Sequence, residues 1–515
     1  MSNEKSFREK LTDSSRFLYG AEVTTSRGLP ASDDAAAPVV LARELLGDSR
    51  IDWISVTDNP GGGPMLPPDW IADKFAAQAA KIVLHLACKD YNRIGLESLL
   101  WKYAAHGFDN ILALTGDLAT GGFPSFGTGV FDIDSVALID MASKMNTGLK
   151  IIGRGGKPIE FTPTNFYTGC AVSPFKANEN ELIPQYYKLK RKIKAGAAWV
   201  LPQLGYDMRK FREISLYLKS QQINVPIIGN AYVLTKTAAK LFNSGRLAGC
   251  VVSDELLAEI EKQTTSPDKG KKYFYELAAK QLAVFKGLGF TAGYIGGIAK
   301  PESFFEIIDI ANSFSPDDWK SFYTEIQYPQ KNEFFMFTEA DEPVIVAPKK
   351  TRNVNMFYRF SRLVHSIAFH RNHGLFSVFK AIFKLMEKNP NEKIPNAAKE
   401  GIMYKMMHWF EKDIKNSLYG CTDCGDCGLP DTAYLCPMNS CSKNQRNGPC
   451  GGSCKSRCEA DDKDCIWTIA YDRLKYFKQL DAMENSLPIV YNAALKGTSA
   501  WSNFYMNRDH SGDSV

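Results

Sequence analysis

The sequence predicts an α/β protein in which a parallel (βα)8 TIM barrel is followed by a mainly helical, cysteine-rich metal-binding domain. Short β-branched or aromatic runs alternate with longer segments of helical period from residue 15 to about residue 312. The alternation then stops, and nine of the twelve cysteines lie between Cys421 and Cys465. At 515 residues the chain is also too long for one ordinary core, so we expect at least two domains.

Eight runs have the composition of buried parallel strands. They are Arg16–Val23, Trp53–Thr57, Lys81–Cys88, Asn110–Gly116, Thr164–Cys170, Trp199–Gly205, Val225–Val233 and Gly293–Gly297. Helical patterns separate them, and the clearest runs from Ile94 to His106 before Gly107, the residue best suited to a left-handed C-cap. Eight βα units over about 300 residues are what a TIM barrel requires, whereas a doubly wound sheet normally needs fewer.

These patterns divide the chain into a barrel over residues 1–312, a linker with one short helix over 313–350, and a helical domain over 351–515. The helical domain contains the cysteine module Cys421–Cys465. In the segment Thr351–Lys388, apolar residues recur at helical spacing, and seven basic residues accompany a single acid, Glu387. We expect an amphipathic helix that docks on the barrel or on a partner subunit, in preference to a helix on a membrane surface.

The composition is that of a globular protein with no membrane span and no nucleic-acid partner. Hydrophobic residues make up 44% of the chain and charged residues 23%. No apolar run approaches the roughly eighteen residues that a membrane span needs, and a net charge of +5 is too mild to indicate nucleic-acid binding. The opening MSNEKSFREKL contains no apolar signal segment, so we expect a cytoplasmic protein in a reducing environment.

The first cysteines of the module are typical of an iron–sulfur cluster. Two residues separate Cys421 from Cys424 and Cys424 from Cys427, and a Cys-Pro pair follows at Cys436. This arrangement indicates a [4Fe–4S] cluster, because short backbone arches let N–H groups point at the sulfurs. A structural zinc site, which usually has two two-cysteine knuckles, is the weaker alternative, and disulfides are weaker still in a reducing compartment.

The other cysteines of the module are expected to supply a second centre, which is either iron–sulfur or zinc. They are Cys441, Cys450, Cys454, Cys458 and Cys465. Because a four-ligand site needs only four thiolates, we expect one of these five to be spare.

In a TIM barrel the chemistry lies where the strands end, on the carboxyl-terminal face. The polar residues at those positions include Glu22, Thr57, Asp58, Asn59, His85, Thr115, Asp117, Gln203, Asn230 and Tyr232. Glu22 and Asp117 would face one mouth and provide an acid and a charge partner, since neighbouring carboxylates split their proton affinities. For either carboxylate, the alternative is a helix N-cap or a solvated loop residue. Glycine-rich turns follow strands two and four, but neither has the GxGxxG spacing of a dinucleotide fold.

Several stretches of the barrel occur together in a specific order and spacing. They are Gly20–Glu22, Ser55–Thr57, Leu84–Cys88, Ala113–Asp117, Leu189–Lys192, Ala195–Ala197 and Gln203. Together they resemble the methylenetetrahydrofolate reductase family over roughly residues 15–312. The second half resembles the cysteine-rich module that some bacteria carry beside or fused to this reductase, where it is associated with iron–sulfur centres.

The resemblance implies a flavin, FAD or FMN, that lies across the barrel mouth beside the folate. The residues matched to flavin contacts are Thr57, His85, Leu114, Gly116, Asp117 and Lys192. Gln203 matches a folate contact, and we expect Tyr232, at the end of strand seven, to join it. By the same resemblance Glu22 is the general acid that protonates N10 of 5,10-methylenetetrahydrofolate, the flavin gives the hydride, and Asp117 tunes the flavin charge and orients the pterin.

The expected function is therefore the interconversion of 5,10-methylenetetrahydrofolate and 5-methyltetrahydrofolate in one-carbon metabolism. A barrel that transfers the methyl group of methyltetrahydrofolate without a flavin is the second hypothesis, and an electron-transfer or scaffold subunit is the third. The fused cysteine module suggests a ferredoxin-like or flavoprotein electron donor, since a nicotinamide on the flavin face would make the module unnecessary. We also expect a homo-oligomer or a subunit of a complex.

Overall fold

The first half of the chain is a closed ring of parallel strands. The computed structural model describes residues 5–13, 15–123, 125, 127–152, 157–247, 249–344, 346–349, 351–371, 374–486 and 488–512. Its strands are β1 (Leu18–Val23), β2 (Trp53–Val56), β3 (Ile82–Ala87), β4 (Asn110–Leu114), β5 (Lys150–Ile152), β6 (Pro158–Glu160), β7 (Tyr167–Val172), β8 (Trp199–Pro202), β9 (Ile228–Tyr232) and β10 (Ala292–Gly296). The parallel sheet runs in the order β8-β7-β4-β3-β2-β1-β10-β9, and a parallel bridge between Val200 and Ile227 joins its two ends. The predicted TIM barrel is confirmed.

Helices alternate with the barrel strands and then continue through the second half. They are α1 (Phe7–Thr12), α2 (Ala37–Gly47), α3 (Asp69–Ala72), α4 (Arg93–Ala105), α5 (Ser135–Asn146), α6 (Glu179–Lys194), α7 (Met208–Ser220), α8 (Lys236–Asn243), α9 (Asp254–Gln263), α10 (Lys271–Gly287), α11 (Pro301–Ser313), α12 (Trp319–Glu325), α13 (Met356–Ala368), α14 (Gly374–Met386), α15 (Ile402–Tyr419), α16 (Pro437–Ser440), α17 (Ile466–Tyr476), α18 (Asp481–Glu484) and α19 (Ala500–Tyr505). The predicted helical, cysteine-rich second half is thereby confirmed. Among the described residues, no helix combines the length and the apolar character that crossing a membrane requires.

Two segments of the barrel differ from the prediction. The strand expected over Thr164–Cys170 begins instead at Tyr167. The cause is Asn146 at the end of α5, whose side-chain oxygen accepts hydrogen bonds from the Thr164 hydroxyl at 2.8 Å and the Phe166 amide at 2.7 Å. These bonds hold the segment out of the strand ladder. In addition, β5 and β6 form an antiparallel hairpin that the sequence pattern does not predict.

Aromatic side chains fill the amino-terminal half of the barrel interior. Trp53 on β2 and Trp199 on β8 are buried there against Phe7 of α1, with ring centroids 5.1 Å and 5.4 Å from the Phe7 ring. Both indoles need a glycine on the neighbouring strand, since a Cβ at Gly20 would lie 2.1 Å from Trp53 and a Cβ at Gly169 would lie 2.2 Å from Trp199. The filled half leaves the carboxyl ends of the strands as the open mouth.

The helical half packs directly against the barrel. Trp467 on α17 shares a buried cluster with Ile183 on α6. The segment 313–350 contains α12 and runs along the barrel surface, where the Phe334 amide donates to the Ala177 carbonyl oxygen at 2.9 Å. Barrel and module therefore form one continuous packed structure. As a result, residues of the module can line the mouth of the barrel.

Candidate active site

A cavity of about 290 Å³ lies at the carboxyl ends of the barrel strands. All nine barrel residues to which the sequence assigns a catalytic or binding role line this one cavity. They are Glu22, Thr57, His85, Leu114, Gly116, Asp117, Lys192, Gln203 and Tyr232. The structure therefore brings the predicted barrel residues together, although their individual roles stay predictions.

Glu22 on β1 is a carboxyl group whose surroundings favour the protonated form. Burial raises the pKa of Glu22, against the smaller lowering effects of hydrogen bonds from the Gly297 amide and the Tyr294 hydroxyl. The Tyr294 hydroxyl donates to Glu22 Oε2 at 3.2 Å. A carboxyl group that retains its proton toward neutral pH is suited to general acid catalysis.

His85 and Lys192 present less charge to the cavity than their residue types suggest. Burial lowers the pKa of His85 to about 4, so the imidazole is neutral at physiological pH, and its Nε2 lies 2.8 Å from Ser55 Oγ. Burial also lowers the pKa of Lys192 to about 8. The Lys192 ammonium group donates to the Ala171 carbonyl oxygen at 2.6 Å, which orients it along the end of β7.

Asp117 is fixed by the glycine-rich turn that follows β2. The Gly61 amide donates to Asp117 Oδ2 at 2.9 Å. The adjacent Gly62 has a positive φ of 79° and passes so close to the turn after β4 that an added Cβ would lie 1.7 Å from the Leu118 carbonyl oxygen. The two glycine-rich turns thus support each other and hold the Asp117 carboxylate at the cavity.

Three buried polar atoms of the cavity wall have no hydrogen-bond partner among the described residues. They are Thr57 Oγ1, Ser173 Oγ and Gln185 Nε2. Buried polar groups in proteins are normally paired, so unpaired ones on a cavity wall are available to a bound molecule. Two hydroxyls and an amide fit the polar edge of a flat heterocycle such as a flavin, whose ring offers both donors and acceptors. The cavity therefore meets the chemical requirement of the cofactor that the sequence implies.

The cysteine module forms one wall of the cavity, which the sequence does not predict. Lys443, Cys450 and Glu459 line it together with the barrel residues. The Lys443 ammonium group donates to the Gly116 carbonyl oxygen at 2.9 Å and forms an ion pair with Glu459 at 2.6 Å. Residues of both the barrel and the module therefore line the cavity.

Two buried lysines of the barrel attach this wall. Lys176 donates to the carbonyl oxygens of Gly451 and Ser453, the latter at 2.6 Å. Lys188 on α6 donates to the Gly448 carbonyl oxygen at 3.1 Å. A buried ammonium group is costly without hydrogen-bond partners, and the module supplies such partners to both lysines. The same hydrogen bonds hold the module against the barrel.

The outer cysteine set consists of Cys421, Cys424, Cys427 and Cys436. Burial, together with the charges of Cys427 and Cys424, raises the pKa of Cys436 to about 11. Burial raises the pKa of Cys421, and the charge of Cys427 raises it as well, so these cysteines lie near one another. The Asp423 amide points at the Cys421 sulfur at 3.4 Å, an N–H to sulfur contact of the kind found in iron–sulfur arches.

The inner cysteine set consists of Cys441, Cys450, Cys458 and Cys465, which line one small cavity of the module. The Gly452 amide donates to the Cys450 sulfur at 3.4 Å. Cys454, by contrast, is exposed and lines a different cavity beside α8. The structure thus divides eight cysteines into two sets of four and leaves Cys454 outside both.

The sulfurs of each set are far apart for a single metal ion. Among the described residues, no three cysteine sulfurs lie within 4.8 Å of one another. A tetrahedral zinc site with Zn–S bonds of about 2.3 Å would place its sulfurs only about 3.8 Å apart. A [4Fe–4S] cluster spreads its ligands more widely, because several iron and sulfide atoms separate them. The thiolate donors suit an iron–sulfur cluster, and no cysteine triplet among the described residues has the close spacing of a zinc site.

A three-residue group of possible ligands lies beside the outer set, but its chemistry is that of an ion pair. Asp426, Asp509 and His510 lie within 4.8 Å of one another. Although burial lowers the pKa of His510, its hydrogen bonds to Asp426 and Asp431 raise it to about 11. A protonated imidazole does not bind a metal, so His510 ties the carboxyl-terminal segment to the loop of the outer set.

Asp58, one of the polar residues predicted at the strand ends, also lines the cavity, and burial raises its pKa to about 6. Other cavity residues escape the sequence patterns. Tyr294 lies inside the predicted strand Gly293–Gly297 and not at its end. Only the alternation of side chains along the strand, with Ile295 on the other face, indicates that Tyr294 points into the barrel. Lys443 and Glu459 lie among the cysteines, and no local pattern connects them with the barrel.

Two family models match the chain, one in each half. The family model described as methylenetetrahydrofolate reductase matches residues 9–309. A second model, described as methylene-tetrahydrofolate reductase C terminal, matches residues 402–492. No curated protein sequence matches the chain.

Two solved structures are similar to part of the chain. One is an uncharacterized protein from Clostridium thermocellum that binds two copies of 5-methyl-5,6,7,8-tetrahydrofolic acid, with 10% identity, a TM-score of 0.41, and coverage of 59% of this chain and 97% of that one. The other is Yersinia pestis DHPS with a pterine-sulfa conjugate, with 9% identity, a TM-score of 0.32, and coverage of 58% and 95%.

Proposed function

The chain belongs to the methylenetetrahydrofolate reductase family, and from this premise we propose that it interconverts 5,10-methylenetetrahydrofolate and 5-methyltetrahydrofolate through a bound flavin. The observation that carries the proposal is the gathering of Glu22, with its raised pKa, and the predicted flavin and folate residues around one cavity. In the reducing direction, the reaction consumes two electrons and two protons. A flavin bound here, FAD or FMN, would supply the hydride.

Glu22 supplies the proton that opens the folate ring. Burial raises the pKa of its carboxyl group and so favours the protonated form that a general acid needs. Transfer of this proton to N10 of 5,10-methylenetetrahydrofolate breaks the bond between N10 and the bridging carbon, which leaves an iminium at N5 as the hydride acceptor. The Tyr294 hydroxyl holds the carboxyl group in position through its hydrogen bond to Oε2.

The residues that would hold the flavin lie on the β2, β3, β4 and α6 side of the cavity. They are Thr57, His85, Leu114, Gly116, Asp117 and Lys192. The unpaired Thr57 hydroxyl is a ready partner for the ring edge, and the Lys192 ammonium group is a cation on this side. Gln203 and Tyr232 lie across the cavity and are proposed to bind the folate.

The cysteine module is proposed to carry electrons to the flavin. Cys450 supports this role because it lines both the active-site cavity and the small cavity of the inner set. With [4Fe–4S] clusters on both sets, the inner one borders the flavin site and the outer one lies further from it. Each cluster passes one electron at a time, so two transfers from a ferredoxin-like or flavoprotein donor complete one turnover.

The proposed chemistry is tested first by cofactor content and by one substitution. Purified protein should contain flavin, and Glu22→Gln should retain the flavin while folate turnover falls by at least about a hundredfold, since only a proton donor is removed. Glu44→Gln on the exposed face of α2 is the matched control and should be fully active. Protein that neither contains flavin nor takes it up on reconstitution would favour a methyltransferase barrel instead.

The electron path is tested separately at the cavity wall. Cys450→Ser should block flavin reduction by a reduced ferredoxin, whereas photoreduction of the same flavin should still succeed. Cys454→Ser, which alters an exposed thiol outside both sets, should behave like the unaltered protein. Equal rates of ferredoxin-driven reduction in both variants would rule out the relay and leave the clusters a structural role.

A further inference from the structure

The second half of the chain exposes an unusual apolar face on α13. Met356, Phe360 and Leu363 are 81%, 60% and 57% exposed, and Val364 and Ile367 are exposed beside them. The steps of four, three and four from Met356 to Ile367 place these side chains on one face of the helix. Contiguous exposed apolar surface of this kind marks an interaction site, because an isolated protein has no reason to leave it in water.

A cavity on one side of α13 reaches the outer cysteine set. It has a volume of about 280 Å³ and is almost wholly apolar, with Phe360, Leu418 and Trp501 among its lining residues. Cys427, a member of the outer set, also lines it. An apolar side chain inserted here would approach the outer set directly.

A larger cleft of about 780 Å³ lies on the other side of α13. Arg359, Arg362 and Lys478 line it, and Asp481 is the one acid among its described lining residues. Arg359 bonds to the Tyr476 hydroxyl and Arg362 to the Gln479 side chain, and neither has a carboxylate partner among the described residues. The cleft therefore presents uncompensated positive charge.

Both openings belong to one surface over the outer set. Pro430 and Tyr434, from the loop that joins Cys427 to Cys436, line the apolar cavity and the basic cleft alike. Cys450 of the inner set lines neither opening and lies instead on the wall of the active-site cavity. The module thus has an inner end at the barrel and an outer end at α13.

The occupant of this surface follows from its charge and shape. We propose that the α13 face, defined as the exposed apolar side of α13 with its two flanking openings, docks an acidic electron-carrier protein; this rests on the proposed electron relay. A second copy of the chain would set Arg359 and Arg362 against their own like charges. A flat lipid surface would fill neither opening, whereas a folded partner with an apolar centre and an acidic rim would fill both.

The test compares charge reversals on holoprotein that contains its clusters and flavin. The double variant Arg359→Glu/Arg362→Glu should lower the rate of flavin reduction by a reduced, acidic two-cluster ferredoxin by at least about tenfold at low salt and flatten its salt dependence. Reduction by methyl viologen, which needs no docking surface, should stay unchanged. Lys272→Glu/Lys286→Glu, an equal charge change on exposed positions of α10, should alter neither rate.

The apolar part of the surface has its own variant. Phe360→Ser should raise the KM for ferredoxin several-fold and leave the rate with methyl viologen unchanged. Ile94→Ser, at a still more exposed position of α4, should change neither value. An unchanged ferredoxin rate in the Arg359 and Arg362 double variant would overturn the docking proposal alone. If methyl viologen cannot drive folate reduction in the unaltered protein, the proposed reductase activity fails together with its relay, and the docking proposal falls with them.

Two further results would assign the surface to another occupant and overturn the proposal. One is a dimer in sedimentation velocity that Phe360→Ser converts to monomer. The other is cosedimentation with phosphatidylglycerol vesicles that the double charge reversal abolishes while the ferredoxin rate stays unchanged.

Discussion

The Lys443 ammonium group donates a hydrogen bond to the Gly116 carbonyl oxygen over 2.9 Å. The two residues come from different halves of the chain, since Lys443 lies between two cysteines of the inner set and Gly116 lies in the turn after β4. The same ammonium group pairs with Glu459, whose Oε1 lies 3.7 Å from the Cys450 sulfur. A continuous series of polar contacts therefore links the inner set to the turn that carries Asp117.

Lys443→Met should destabilise the folded protein, because it leaves Glu459 without its cation at a largely buried site. The side chains of Lys443 and Glu459 are only 5% and 16% exposed, so we expect the free energy of unfolding to fall by about 2–4 kcal/mol. Adding Glu459→Gln should restore part of the loss. Urea unfolding of the holoprotein measures both. Lys320→Met, from an exposed ion pair, is the control, and a similar loss there would contradict the expectation.

Tyr294→Phe should extend folate turnover to higher pH. The Tyr294 hydrogen bond lowers the pKa of Glu22, so its removal raises that pKa further. A general acid must carry its proton, and kcat/KM therefore falls as the pH rises through the pKa of Glu22. The falling limb of the pH profile should move to higher pH in the variant. Tyr19→Phe, whose hydroxyl bonds to Asn312 outside the cavity, should leave the limb where it is.

His85 should make the protein less stable as the pH is lowered. The pKa of His85 is about 4 in the folded protein, because burial lowers it, and about 6.5 in the unfolded chain. Below pH 6.5 the unfolded chain binds a proton that the folded protein does not, so stability falls by about 2 kcal/mol between neutral pH and pH 5 from this group. His85→Gln should remove that share of the pH dependence. His106→Gln, at an exposed position, should not.

Cys454→Ser and Cys458→Ser should differ in metal content. Cys454 lies outside both cysteine sets, so its substitution should leave about eight irons and eight sulfides per chain in protein prepared without air. Cys458→Ser removes a member of the inner set and should lower both counts by about four. Zinc without sulfide in the unaltered protein would contradict the assignment of clusters.

The sequence predicts the barrel and its mouth well because both depend on local repetition. Alternating strand and helix patterns locate the parallel sheet, and the end of each strand then locates residues such as Glu22 and Asp117. The start of β7 at Tyr167, three residues after the predicted start at Thr164, could not be predicted, because it depends on hydrogen bonds to Asn146 in the preceding helix. Such bonds leave no periodic trace in the sequence.

The arrangement of the cysteines shows a different limit. A spare cysteine is predicted from the number of ligands, but Cys450, Cys454 and Cys458 are evenly spaced, so spacing alone cannot say which one it is. The fold decides through a turn at Lys455 and Ser456, both with positive φ, after which the Arg457 amide donates to the Cys454 carbonyl oxygen at 2.9 Å. Likewise, no sequence pattern brings Lys443 to the barrel, because that contact spans more than three hundred residues.

The position of Cys450 in the cavity wall has a kinetic consequence. A soluble reductant that delivers hydride inside the catalytic pocket occupies the same space as the substrate to be reduced. It must leave before that substrate can bind, so the two compete for one site. Here the proposed electron route crosses the wall at Cys450, while the folate uses the open mouth. Reductant and folate then occupy the enzyme simultaneously, and 5-methyltetrahydrofolate should inhibit without competing against the electron donor.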